Sequence, residues 1–244
     1  MLEPATESRS STDPGSLHIR RAGASATEPE TLPDLLLIER SRGADTRAIE
    51  ALIRRYGRRL FRVARSVLPE AERAESAVCE AYLAAFADLN RYEPAGKFAA
   101  WLTRLTLAQA RAARAHARPP SAAASPAAVA HSSAPEAAPD ELQPLAELER
   151  SIDGLPEVFR VVFVLRVIEG ISGIETAASL ALNPTTVRTR LYRALRRLSP
   201  QLVERMRAMP ALLTLPPERT ERIVGRVLAA LPQGSMLSIS ASPP

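Results

Sequence analysis

The sequence predicts an all-α fold made of two small helical modules joined by a flexible Ala/Pro/Ser linker. Two segments, 33–118 and 145–200, carry apolar residues at the three-and-four spacing of amphipathic helices. Repeated prolines and small residues in segment 119–144 prevent a continuous helix and leave little to bury. The first module shows no alternation of apolar and polar residues typical of a strand.

The N-terminal part of the chain is predicted to be a disordered tail followed by the first helix. Residues 1–32 are rich in Ser, Thr, Pro, Glu and Gly and have no hydrophobic period. Asp45 is a good N-cap, and the apolar stripe after it runs from Ile49 to Leu68. Pro69 is expected to end this helix.

Two more helices complete the predicted first module. One extends from about Glu70 to Leu89 and the other from about Phe98 to Ala117, before two consecutive prolines. Between them, residues 90–97 form a turn-rich, partly basic loop. We assign Phe98 and Trp101 to packing, because aromatic residues at helical spacing are usually core residues.

The second module ends in a predicted helix-turn-helix. The β-branched run from Val158 to Ile168 is read as a helix with Gly170 as its C-cap. Residues 172–175 fit a capping box that starts a short helix to about Ala181. Residues 182–184 form a turn, and Thr185 opens a last helix to about Leu198.

The last helix is predicted to have a packing side and a polar side. On a helical wheel the packing side holds Val187, Leu191, Ala194 and Leu198, with Leu195 beside them. The opposite side, which could enter a major groove, holds Thr185, Thr189, Tyr192, Arg193 and Arg196, with Arg188 at its edge. A solvated basic face is the alternative, which the preceding capped helix and turn make less favourable.

Composition favours a nucleic-acid partner and excludes several other classes. The formal net charge is +5 and the sequence pI about 10.1. The single cysteine, Cys79, excludes a disulfide framework and is expected to be a small buried residue. The histidines are scattered, so no metal site is predicted, and no cofactor or catalytic motif appears. With no signal peptide or bilayer-length apolar stretch, we expect a cytoplasmic protein without membrane insertion.

The motifs of both modules resemble those of one protein family. Segments 155–160, 164–166, 169–170 and 186–194 are similar to the fourth conserved region of extracytoplasmic-function sigma factors. Segments 51–57, 80–83 and 98–102 are similar to the second conserved region of the same family. The resemblance implies a chain that binds core RNA polymerase and directs transcription initiation without being an enzyme. It also implies double-stranded promoter DNA, the melted minus-ten strand and an anti-sigma factor as partners.

The resemblance, with the wheel, implies three sets of contact residues. Contacts to the minus-thirty-five element are expected from Thr185, Thr186, Arg188, Thr189, Arg190, Tyr192, Arg193, Arg196 and Arg197. Contacts to the opened minus-ten element are expected from Asn90, Arg91, Tyr92, Lys97, Arg104 and Arg111. Contacts to core polymerase are expected from Glu75 and Glu80. Tyr92 could either stack on a base or close the core over Phe98, and a solvated acidic face is the alternative for the two glutamates.

The sequence also departs from the family pattern. Arg73, Ser76 and Cys79 replace acidic or amide residues of the polymerase-binding surface. Leu107 and Ala108 replace a basic residue and an asparagine. Ala181 stands where the turn of the helix-turn-helix usually has glycine, and Thr176 stands where an aliphatic residue usually packs.

The sequence leaves open the choice between two functions and the role of the C-terminal extension. The main alternative function is a helix-turn-helix regulator that is not a polymerase subunit, although such a regulator would have no need of the loop 90–97. The C-terminal extension, 201–244, contains an amphipathic stretch from Glu221 to Leu231. This stretch could fold back on the second module or dock a regulator.

Overall fold

The computed structural model describes residues 29–93, 97–116, 143–209 and 212–231, and every regular element within these ranges is helical. The α-helices are α1 (Asp34–Arg42), α2 (Thr46–Arg65), α3 (Ala71–Ala87), α4 (Phe98–His116), α5 (Gln143–Asp153), α6 (Glu157–Phe163), α7 (Gly173–Leu180), α8 (Pro184–Leu195), α9 (Pro200–Ala208) and α10 (Pro217–Ala230). The predicted all-α, two-module fold is confirmed. The predicted tail and linker lie outside the described residues, apart from their last few positions.

The first module is built from α1 to α4 around a core of large apolar side chains. The Asp45 carboxylate accepts hydrogen bonds from the backbone N–H groups of Arg47 and Ala48, so the predicted N-cap of α2 is confirmed. In the core the Tyr82 hydroxyl donates to the Ile53 carbonyl oxygen at 3.1 Å, which satisfies the only polar atom of a fully buried ring.

The second module packs α5, α6 and α9 around a separate core that contains Leu148, Ile152, Phe163 and Met206. The predicted helix over 158–168 is α-helical only to Phe163 and continues as a π-helical segment, Val164–Ile168. The C-cap of this segment is Glu169, one residue before the predicted Gly170, and Gly170 follows it with a φ of +65°, in the left-handed region that glycine favours at a helix end.

The two modules are in contact and share part of one core. Val161, Leu165 and Ile171 of the second module belong to the same apolar cluster as the buried residues of α2, α3 and α4. Helix α4 packs along α7, and α2 packs against the π-helical segment. We call this contact the module interface; it joins α2 and α4 to α6, the π-helical segment and α7.

The described part of the C-terminal extension forms α9 and α10. Helix α9 joins the core of the second module through Val203 and Met206. Helix α10, which contains most of the amphipathic stretch 221–231, packs instead on α2 and α3 of the first module. Of the two alternatives for this stretch, folding back on the second module is therefore not the one that α10 adopts. The limits of the predicted domains stay a prediction.

Candidate functional site

The helix-turn-helix is formed by α7, a short turn and α8, and both helices have side-chain N-caps. The Ser172 hydroxyl accepts from the backbone N–H of Glu175 at 3.1 Å, as the predicted capping box requires. The Asn183 side chain accepts from the backbone N–H of Thr186 at 2.6 Å, so α8 begins at Pro184, one residue before the predicted start. Between the helices Ala181 adopts a left-handed conformation, with φ 51° and ψ 46°.

The packing side of α8 is the one that the helical wheel predicts. Val187 and Ala194 are buried, and Leu191, Leu195 and Leu198 are partly buried. Val187 forms a small apolar cluster with Val162 of α6 and Ala177 of α7. These contacts fix the rotation of α8 about its axis and therefore decide which side chains face solvent.

The opposite side of α8 is exposed and basic. The exposed members of the predicted set are Thr185, Arg188, Thr189, Tyr192, Arg193, Arg196 and Arg197, while Thr186 and Arg190 are half-buried. Among the described residues, none of the ion pairs involves an arginine of this set. The guanidinium of Arg196 lies over the Tyr192 ring, 6.0 Å from its centroid. The geometry leaves a polar, cationic ridge available to a groove of duplex DNA.

The loop before α4 divides into an exposed part and a packed part. Asn90 and Arg91 lie in a single 3-10 turn, Leu89–Arg91, and are exposed. The Tyr92 ring instead packs on Phe98 and Trp101, with centroid separations of 5.4 and 4.8 Å. In the structure Tyr92 therefore closes the core over Phe98, and its ring is not free to stack on a base. Residues 94–96 lie outside the described part of the chain.

Three of the residues predicted to contact the minus-ten element are engaged by the second module. The Lys97 ammonium is 3.0 Å from a Glu175 carboxylate oxygen. Arg104 donates to the backbone carbonyl of Ala178 in α7 at 2.9 Å, and Arg111 donates to Glu157 of α6 at 2.9 Å. The three side chains remain exposed, Lys97 by 71% and Arg111 by 52%, but each has a partner in the second module that a nucleic-acid strand would have to share or replace.

Ion pairs connect the two modules across the module interface. Its most buried ion pair joins Arg62 of α2 to Glu169 at 2.6 Å, and the two side chains are 6% and 9% exposed. Burial by itself would raise the pKa of Glu157, but the hydrogen bond from Arg111 and the charges of Arg111 and Arg114 outweigh it and hold that pKa below its usual value. The pKa of Glu175 is likewise lowered against burial by hydrogen bonds from Lys97 and Arg59.

The two glutamates predicted to contact core polymerase lie in different surroundings on α3. Glu80 is exposed. Glu75 is only 5% exposed, and its carboxylate accepts hydrogen bonds from Arg219 at 3.0 Å and from Arg222 at 2.9 Å. Burial opposes ionisation of Glu75, but the hydrogen bonds from Arg222 and Arg219 prevail and lower its pKa. Helix α10 therefore covers one of the two predicted contacts.

Several residues important to this arrangement could not be found from the sequence. Arg219 and Arg222 follow Glu75 by more than a hundred residues, and no short-range pattern connects them. The departures from the family pattern have visible consequences: Leu107 is buried, Ala108 is exposed, and the buried hydroxyl of Thr176 has no hydrogen-bond partner among the described residues. No helix among the described residues is both long and apolar enough to cross a bilayer.

The comparisons with known proteins agree in both halves of the chain. Residues 52–118 match the family Sigma-70 region 2, and residues 145–198 match Sigma-70, region 4. The ECF RNA polymerase sigma-E factor of Escherichia coli K12 is 29% identical over 177 residues, covering 68% of this chain and 92% of that protein. The RNA polymerase sigma-H factor of Pseudomonas aeruginosa is 28% identical over 175 residues, covering 66% and 89%. The solved structure of CnrH in complex with the cytosolic domain of CnrY aligns with a TM-score of 0.51 and 27% identity, covering 69% of this chain and 96% of that one.

Proposed function

We infer that this chain, which belongs to the sigma-70 family of RNA polymerase sigma factors and to its extracytoplasmic-function group, binds core RNA polymerase and directs promoter recognition. The observation that carries this conclusion is the presence of both family regions in one chain, with region 2 before region 4. Region 2 recognises and opens the minus-ten element, and region 4 recognises the minus-thirty-five element. A regulator that is not a polymerase subunit would need only the helix-turn-helix, so this alternative is not favoured.

For the minus-thirty-five element we assign sequence choice to Arg188, Thr189 and Tyr192. These side chains project from the exposed side of α8, where arginine can bond a guanine edge in two places and a hydroxyl adapts to several edges. The remaining exposed or half-buried basic residues mostly contact phosphates; they are Arg190, Arg193, Arg196 and Arg197. Thr185 and Thr186 complete this surface in the first turn of α8.

For the minus-ten element, we propose that the modules separate, which releases three cations from their partners in the second module. Asn90 and Arg91 are accessible as the chain stands, whereas Lys97, Arg104 and Arg111 are engaged at the module interface. A melted strand offers phosphates that can replace Glu157 as the partner of Arg111, Glu175 as the partner of Lys97, and the Ala178 carbonyl as the partner of Arg104. We therefore propose that the described arrangement is a closed form and that promoter opening uses an open one, in which Tyr92 also becomes accessible.

For core polymerase we propose that Glu80 is the accessible contact on α3 and that Glu75 contributes once it is uncovered. Sigma factors are initiation factors rather than enzymes and act with RNA polymerase in the cytoplasm, and we propose the same for this chain. An anti-sigma factor is the further partner that the family implies. The complex of the structurally similar CnrH with the cytosolic domain of CnrY supports this proposal.

The test is to mix the purified chain with core polymerase, first without DNA and then with promoter DNA. We expect a stable complex without DNA and permanganate-reactive thymines when promoter is added. Arg188→Ala should relax base choice in the minus-thirty-five element at a cost of roughly 1 to 3 kcal/mol. Its matched control Arg196→Ala, at the C-cap of the same helix, should weaken binding to all DNA sequences alike and reduce the salt slope by about one unit.

Two results would contradict these assignments. A chain that binds promoter DNA but forms no complex with core polymerase is a regulator rather than a sigma factor. Equal, sequence-independent losses in the two arginine variants would show that Arg188 contacts only the DNA backbone.

A further inference from the structure

Helix α10 lies across α2 and α3 and covers a surface of the first module. Ile223 and Val227 are fully buried against this surface and Val224 nearly so, whereas the other side of α10 is exposed. The segment leading into α10 also approaches closely, because a methyl group added at Gly57 of α2 would lie 3.5 Å from the Leu215 side chain. Helix α10 therefore buries a narrow apolar stripe rather than a broad core face.

Ion pairs hold α10 in place, and α10 contributes the cation to some of them and the anion to another. Arg219 contacts Glu72 at 2.7 Å and Glu75 at 3.0 Å, and Arg222 contacts Glu75 at 2.9 Å. In the opposite sense, Glu221 of α10 accepts from Arg54 of α2 at 2.9 Å. Because positive and negative charges alternate along α10 and are matched on the facing surface, one register of α10 on the first module is favoured over others. Such charge matching is typical of a specific docking contact.

The contact is also of a kind that can be released. Only three residues of α10 are buried, and the Arg222 side chain is 55% exposed, so solvent screens part of its attraction to Glu75. A helix of 14 residues is marginal in water without tertiary packing, so loss of the contact also favours unfolding of α10 itself. Docking of α10 is therefore an equilibrium that a stronger ligand of the same surface can shift.

We propose that α10 is an intramolecular competitor of core RNA polymerase for the acidic surface of α3 around Glu72 and Glu75. The proposal rests on the function proposed above, in which Glu75 is a polymerase contact. Glu75 cannot satisfy two arginines of α10 and also meet a basic group of the polymerase, because it has one carboxylate and is 5% exposed. Docked α10 thus reduces the fraction of chains competent to bind polymerase and raises the apparent dissociation constant accordingly.

The test uses full-length variants of α10 with two readouts. Arg219→Ala/Arg222→Ala removes the contacts to Glu72 and Glu75 without altering α3. Arg226→Ala is the matched control, because Arg226 is one turn beyond Arg222, exposed, and without an ion pair among the described residues. Hydrogen exchange of the α10 amides reports docking, and fluorescence anisotropy with labelled core polymerase reports affinity.

We expect faster amide exchange in α10 and an affinity for core polymerase about fivefold or more tighter in the double variant. The single variant Arg222→Ala should lie between the double variant and wild type, and Arg226→Ala should match wild type in both readouts. Faster exchange with unchanged or weaker polymerase binding would overturn the proposal, and so would unchanged exchange. If neither wild type nor the double variant binds core polymerase, the proposed function itself fails; equal binding by both means that only the competition is wrong.

Discussion

Replacing Ala181 by glycine should stabilise the protein, because this residue holds the turn of the helix-turn-helix in a conformation that disfavours a side chain. Its φ of 51° and ψ of 46° lie in the left-handed region, and its backbone N–H donates to the Ala177 carbonyl as a helix C-cap. Ala181 is exposed, so removing its methyl group loses little packing. The substitution therefore changes mainly the backbone energy of one residue.

The expected gain follows from two opposing contributions. The left-handed conformation costs a non-glycine residue roughly 1 to 2 kcal/mol. Glycine costs roughly 0.4 to 1 kcal/mol through the greater freedom of the unfolded chain. The free energy of unfolding should therefore rise by about 0.5 to 1 kcal/mol, and in a chain of this size each kcal/mol raises Tm by about 2 to 4 °C.

Urea and thermal denaturation of the full chain measure this change, with Ala178→Gly as the control. Ala178 is exposed in α7, three residues earlier, and is helical, so glycine there should lower the free energy of unfolding by about 0.5 to 1 kcal/mol. Opposite signs at these two alanines are the expected outcome. A loss of stability in Ala181→Gly would refute the reasoning, because the left-handed backbone would then not be strained.

Two further predictions concern the second module and the module interface. Thr176→Val keeps the shape of a fully buried side chain and removes a hydroxyl that has no hydrogen-bond partner among the described residues. The free energy of unfolding should therefore rise by about 1 kcal/mol or more. Unchanged stability in urea denaturation would mean that the hydroxyl has a hydrogen-bond partner. Acid should open the module interface. The folded-state pKa values of Glu157 and Glu175 lie below the unfolded value of 4.5, so the ion pairs of these residues stabilise the closed form above that pH. This stabilisation is lost as the pH falls through the lowered pKa values. Small-angle scattering should show a larger radius of gyration well below pH 4.5 than at neutral pH, and an unchanged radius would contradict this role.

Features encoded by neighbouring residues could be predicted from the sequence. The packing side of α8 follows from the period of Val187 and Ala194, and the end of the π-helical segment before α7 follows from Gly170. The sequence gives a weaker signal for α1, where four apolar residues from Leu35 to Ile38 are consecutive. In the structure Leu35 is 55% exposed while Leu37 is buried, a distinction that only tertiary packing makes.

Features that depend on distant residues could not be predicted. Lys97, Arg104 and Arg111 are basic and follow a loop, which makes them candidate contacts for a nucleic-acid strand. Nothing near them in sequence indicates that Glu157 or Glu175 engages two of them, because those carboxylates belong to the other module. The same limit applies to Glu75, whose partners lie in the C-terminal extension.

The contact between α10 and the first module can form only late in synthesis, after the first module has been made. Arg54 and Glu221 are separated by 167 positions in the chain, and contacts of such long separation form slowly because a large loop must close first. Since N-terminal segments leave the ribosome before C-terminal ones, α2 and α3 can pack with their outer surface bare while α10 has yet to be made. A nascent chain therefore presents Glu75 to its surroundings, and the finished chain covers it.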